Sequence, residues 1–290
     1  MTYSIVAFDS ETGALGVGVQ THQPCVGSIV PWVEPGVGAI ATQSFANINF
    51  GPQGLSLLTN GLDAQRTLAA LIAGDDLPGR RQVAVIDAAG APSVHTGVDC
   101  IPFASHVVGT HFSTQANMMT NAGVPEAMAS AFEGSSGYLA ERIMAALEAG
   151  QEAGGDIRGS QSAAILVRLP GPRSNAWDLR IDNSARPLQD LRQLVNVRLA
   201  GSLLVSLNAD ASIEEVRERF AQASQLYPSD EQAFWYAINT LPGRGQLPET
   251  VEILNELFER APQWRELLAR LRLPGVDAVR DAIRLNPSGG

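Results

Sequence analysis

A chain of 290 residues, 45% hydrophobic and 17% charged, can bury a full core and reads as one large domain followed by a smaller one. Its net charge of −10 excludes nucleic acid, whose phosphates need a basic face, and no polybasic segment is offered to an anionic membrane. The sequence contains no lysine, which excludes a lysine Schiff base, a lysine-anchored pyridoxal cofactor and a P-loop lysine.

In chain order, Tyr3 to Phe8 and Ala14 to Gln20 are strand-forming runs joined by turn chemistry ending at Gly13. Both are apolar on alternate and intervening positions, so both are expected to be covered on two faces. Gly27 to Trp32 and Gly36 to Phe45 predict a second hairpin. Leucine spacing from Gly51 to Ala73 predicts helix, interrupted at Asn60-Gly61. Gln82 to Asp87 and Ser93 to Thr96 form a third hairpin, and His106 to Ala116 a further strand. Val124 to Gln151 is helical in two pieces, split between Gly134 and Gly137. Ser162 to Leu169 and Trp177 to Ile181 give a fourth hairpin, and Leu188 to Leu199 an amphipathic helix. The fold class is therefore α+β, with two antiparallel sheets stacked between two helix layers, an αββα sandwich.

Beyond Asn208-Ala-Asp210 the sequence turns almost wholly helical, which sets the domains at 1–207 and 208–290. Tyr227-Pro228 and Ala261-Pro262 close two helices about 34 residues apart, a tetratricopeptide-like spacing, and the end from Asn286 is expected to be loose. Cys25 and Cys100 suit neither a zinc site nor a redox pair and are expected to be buried. His22, His95, His106 and His111 lack metal-ligand spacing, and no metal or cofactor is expected. With no leader-like start and no long apolar run, the chain reads as cytoplasmic.

Thr2 is the first candidate for chemistry. Removal of Met1 would leave a residue carrying both a hydroxyl and a free amine, whose ordinary pKa of about 7.7–8.0 lets it act as that hydroxyl's base. Gly36-Val-Gly38-Ala-Ile-Ala41 matches a dinucleotide fingerprint in letters, but strand rather than helix follows, so it reads as close-packing glycine beside Thr2. Thr42, Gln43, Ser44 and Asn47 place polar groups at the end of a buried strand, where they cap a turn or, for Gln43 and Ser44, orient substrate or donate to an oxyanion. Asn117 offers a similar amide donor or a turn residue. Arg158 and Arg180 could read a carboxylate, and Asp178-Leu-Arg180 also fits a solvated charge ladder.

SIVAFDSETGALGVGVQ, VGSIVPWVEPGVGAIATQSFAN, GPQGLSLL, RQVAVIDAAG, TGVDC, QANMM and GSQSAAILV, in that order, resemble a bacterial family, domain of unknown function 1028, grouped with the N-terminal-nucleophile (Ntn) hydrolases. The resemblance spans about residues 2 to 200 and implies the same αββα layering. It tilts Asn117, within QANMM, toward a functional role, and the tail resembles a helical extension carried by some members. The expected function is an Ntn-type amidohydrolase acting on an amide or acylated small molecule, with Thr2 as nucleophile. The alternative is a non-catalytic scaffold that binds a small ligand or a protein partner. Pairing into a homodimer or higher homo-oligomer is expected.

Overall fold

The computed structural model describes residues 2–171, 176–205 and 211–285. The expectations for Met1, for the boundary at 207/208 and for the end at 286–290 fall outside the described residues. Strands β1 (Thr2–Asp9) and β2 (Ala14–Thr21) form a hairpin, and both are buried along nearly their whole length, as their two-faced apolar pattern requires. They lie at the middle of an antiparallel sheet of order β10-β9-β2-β1-β8-β7, completed by β7 (Ser105–Gly109), β8 (Phe112–Asn117), β9 (Ser162–Arg168) and β10 (Trp177–Ile181). A second antiparallel sheet runs β3-β4-β5-β6, from β3 (Pro31–Glu34), β4 (Gly38–Ser44), β5 (Arg81–Asp87) and β6 (Pro92–Thr96).

Two strand assignments change. The segment read as one strand from His106 to Ala116 is the β7–β8 hairpin, turned through His111 at φ 63°. Gly27 to Trp32 is a short 3-10 turn, Val26–Ser28, followed by the four residues of β3. The described residues therefore hold one more hairpin than the sequence pattern suggests.

Alternation along the strands sorts the side chains. Val6, Leu15, Val17, Val19, Ala164 and Leu166 of the first sheet share one buried cluster with Ala39, Ala41, Ala84 and Ile86 of the second, so the sheets face each other through it. Each fully buried Val or Leu there contributes about 1.5–3 kcal/mol relative to exposure. The other face of the second sheet presents Ile40, Val83 and Val85 to Phe50, Leu58, Leu68 and Leu71 of α1 (Phe50–Thr59) and α2 (Ala64–Ala73). On the first sheet, Phe112 packs against Phe132 of α3 (Val124–Gly134) at 4.8 Å between ring centroids. Tyr3 donates to the Leu147 carbonyl of α4 (Leu139–Glu152) at 3.2 Å. A Cβ on Gly18 would stand 2.3 Å from Ile143 Cγ2 of α4, so the helix seats closely only because residue 18 has no side chain.

By its internal contacts the chain divides into Met1–Val195 and Asn196–Gly290, a division inside helix α5 (Pro187–Val205), twelve residues before the boundary read from composition. The second unit contains α6 (Ile213–Leu226), α7 (Asp230–Asn239), α8 (Leu247–Arg260), α9 (Gln263–Arg270) and α10 (Val276–Leu285). Ser212 and Ser229 cap α6 and α7, accepting from the amides of Glu215 and Gln232. Phe234, Leu254, Leu257, Phe258, Val279 and Ile283 form this unit's own core. Among the described residues no helix is long and apolar enough to cross a membrane.

Candidate active site

The space between the sheets is apolar over most of its extent and polar at one end. The same alternation that buries Val6, Val17, Ala41 and Ala84 continues into Ser4 and Thr2 of β1, Thr21 of β2, Gln43 of β4 and Gln82 of β5. Register pairs Thr2 with Thr21 on one side and with Asn117 of β8 on the other, and Ser4 with Gln115. Ser4, Gln43, Gln82, Gln115 and Asn117 are at most 1% exposed, and Thr2 is 5% exposed. Burying so many amides and hydroxyls is tolerated only where they satisfy one another.

They largely do. The Thr2 hydroxyl donates to that of Thr21 at 3.2 Å. Gln43 Nε2 donates to Gln82 Oε1 at 2.7 Å, and at 3.3 Å to the carbonyls of Thr2 and Gln115. Asn117 Nδ2 donates to the same Gln82 Oε1 at 2.9 Å and to the Thr2 carbonyl at 3.3 Å. Gln82 Nε2 in turn reaches Ala116 O at 2.9 Å, Ser105 O at 3.2 Å and Thr96 Oγ1 at 2.9 Å. Gln115 Nε2 donates to Ser4 Oγ at 2.6 Å, and its oxygen accepts from Ser113 Oγ at 3.2 Å. Two oxygens are left over: Gln43 Oε1 and Asn117 Oδ1 are buried without a partner.

This geometry brings three predicted residues together, Thr2, Gln43 and Asn117, and alters the role open to Gln43 and Asn117. The NH2 groups of those side chains are spent on Gln82 and on main-chain carbonyls, so neither is free to donate to an oxyanion. What they present is acceptors.

The remaining candidates stand elsewhere. Thr42 faces the helix side of β4 and donates to the Asn47 carbonyl at 3.2 Å, the turn-capping role. Ser44 ends β4 in the left-handed region at φ 67°, and among the described residues no hydrogen bond joins it to the cluster. Arg158 grips Asp156 with Nε at 3.1 Å and NH2 at 2.7 Å, and the same carboxylate accepts from the His22 amide at 3.2 Å. Arg180 is paired with Asp178 along β10, an edge strand, as a solvated ladder would be. The Gly38 hydrogen faces Leu58 and the Ile86 carbonyl rather than Thr2. Cys25 is exposed, at φ 60°, while Cys100 is buried as expected.

Next to the cluster, Arg81 anchors the end of β4. It pairs with Asp75 at 2.7 Å, both side chains nearly buried, and donates to the Phe45 carbonyl. The Arg81 hydrogen bond holds the Asp75 carboxyl below its ordinary 3.8 against the opposing effect of burial. On the opposite face of β1, burial pushes the Tyr3 phenol well above its usual range, with Asp156 and Glu148 adding to the effect.

Sequence reasoning missed Gln82, Thr21, Ser4 and Gln115. Its one available signal was a polar residue at an inward-facing position of an otherwise apolar strand, as in Arg-Gln82-Val-Ala-Val-Ile86.

The fold and cluster define a mixed α+β protein built on two antiparallel sheets. The chain belongs to the family of unknown function DUF1028, whose model matches residues 2–191. It is similar to protein SPO2555 from Silicibacter pomeroyi, a DUF1028 crystal structure, at 31% identity and a TM-score of 0.63, covering 67% of this chain and 84% of that one. Anbu, the ancestral β-subunit from Yersinia bercovieri, fits at 11% identity and a TM-score of 0.32 over 73% of this chain and 100% of that one, too loosely to carry an argument. No curated protein matches the sequence.

Proposed function

We propose that the first unit is an αββα sandwich of Ntn type and that Thr2 is the nucleophile of an amidohydrolase. The observation that carries this reading is the placement of Thr2. It starts a central strand, its carbonyl is held by two buried carboxamides, and its hydroxyl bonds to Thr21 at the polar end of the inter-sheet core. A nucleophile so held loses little further freedom on reaction.

With Met1 removed, the Thr2 hydroxyl oxygen attacks the amide carbonyl carbon and its proton passes to the Thr2 amine. The carbon–nitrogen bond then breaks, the leaving amine takes that proton, and water cleaves the acyl ester to regenerate Thr2. Gln43 and Asn117 fix the Thr2 backbone in this scheme, and the oxyanion draws its donors from other groups. The commitment of those two amides to Gln82 also supports a second reading, a non-catalytic scaffold that binds a ligand at the same place.

Two measurements separate the readings. Intact mass shows one methionine fewer than the encoded chain if the nucleophile is formed. Against a panel of amides and acylated amino acids, Thr2→Ala loses at least about a hundredfold in kcat/KM. Equal turnover by Thr2→Ala and parent, or a retained methionine, leaves only the scaffold.

A further inference from the structure

Exposed large apolar side chains gather at one end of the two sheets. Phe45, Leu77, Val98, Ile101, Phe103 and Ile157 are 40–95% exposed, and all lie in loops at the end where Thr2 starts β1. Among the described residues, the loops at the opposite end expose none. Main-chain hydrogen bonds stitch the first set of loops into one surface. The Phe45 amide donates to the Arg80 carbonyl at 3.2 Å, and the Arg80 amide to the Leu77 carbonyl at 3.0 Å. Gly97 donates to Arg81 at 2.8 Å and Asp99 to Gly79 at 2.7 Å. The Met118 and Met119 amides donate to the carbonyls of Ile101 and Phe103, and the Met118 carbonyl accepts from Ile157 at 3.3 Å. Ser44 and Met118, at φ 67° and 57°, hold left-handed backbone without being glycine, which only a firmly held surrounding sustains.

We propose that a second copy of the chain docks on this surface about a two-fold axis, patch against patch. Area and charge both favour that occupant. The six side chains expose on the order of 600 Å2, at the upper end for the largest apolar patch on a monomer. Two copies together bury about 1,200 Å2, the lower end of the range for specific, stable interfaces. The chain carries a net charge of −10, so two copies repel unless they meet where charge is low. Segments 45–49, 75–81, 97–103 and 156–158 hold three arginines against four aspartates, a net of −1. Asp75 with Arg81 and Asp156 with Arg158 are already paired within the chain. Arg80, Asp76 and Asp99 are exposed, and a two-fold axis lets Arg80 of each copy approach an aspartate of the other. Docking here asks nothing of the Thr2 hydroxyl, so it goes beyond the catalytic reading.

The test is the mass of the full chain by sedimentation equilibrium at concentrations of about 0.1–100 µM. The expected result is a dimer with a dissociation constant of about 1–10 µM, as an interface of this size permits. Val98→Glu and Ile157→Glu each place a charge in the contact twice, once per copy, and raise that constant at least about tenfold. Both positions are exposed, so circular dichroism and the urea midpoint of each variant, read on the monomer, stay as in the parent. Val108→Glu adds the same charge on edge strand β7, outside the patch, and leaves the constant unchanged. A monomer at every concentration overturns the proposal, as does a dimer that either Val98→Glu or Ile157→Glu leaves unweakened. Equal weakening by Val108→Glu overturns the placement on this surface. A mass that climbs past two copies overturns the two-fold arrangement.

Discussion

Replacing Gln43 with leucine and replacing Gln82 with leucine remove side chains of one size from one cluster, yet the two changes differ in what they strand. Gln43→Leu leaves Gln82 Oε1 and the Thr2 carbonyl each still served by Asn117, and it removes an oxygen that had no partner. Gln82→Leu takes the shorter acceptor from two NH2 groups, which keep the Thr2 and Gln115 carbonyls at 3.3 Å, and it exposes the Ala116 and Ser105 carbonyls to an apolar neighbour. The expected costs are about 1 kcal/mol for the first and about 2–4 kcal/mol for the second, measured by urea unfolding. The network continues outward, since Thr96 Oγ1, already accepting from Gln82, bonds His106 Nδ1 at 2.9 Å. Burial and the nearby His95 lower the His106 pKa from 6.5, so the folded state prefers the neutral ring that can accept. Because the unfolded chain then binds the proton more readily, stability is complete above about 6.5 and declines as pH falls toward the lowered value. His106→Gln flattens that decline in urea midpoints taken between about pH 7.5 and about pH 5.

Among the elements, glycine placement decides how closely helices sit on sheets. Gly18 on β2 admits Ile143 of α4, and a Cβ on Gly54 of α1 would stand 2.3 Å from Ile40 Cδ1 of β4. Gly18→Val overpacks a contact with no slack and costs about 1–3 kcal/mol or more, read as a lower urea midpoint with the fold unchanged by circular dichroism. Most of these elements were legible in the sequence, because Tyr3 to Phe8 and Ala14 to Gln20 are apolar on both faces and the α1–α2 break carries Asn60-Gly61. The β7–β8 turn was not, since the left-handed position there is His111, where no glycine marks it. Thr2, Gln43 and Asn117 were legible as polar residues at strand ends. Gln82 was not, because its role arises only where β5 of one sheet meets β8 of the other, a contact no local pattern encodes.

Across the molecule, two cores of separate composition stand in two units, Val17, Ala41 and Ile86 in the first and Phe234, Leu254 and Phe258 in the second. Each buries its own apolar surface, so calorimetry is expected to resolve more heat than one two-state transition accounts for. Phe234 is wholly buried, with Trp264 at 4.9 Å between ring centroids. Phe234→Ala removes about 3–5 kcal/mol from the second unit, lowering one transition while the other keeps its midpoint. A shift of both together would mean a single cooperative unit. The contrast between the thiols has a practical consequence. Cys25 stands open to solvent and Cys100 is shielded, so a maleimide dye should decorate the native protein at a single address and offer a spectroscopic reporter without engineering.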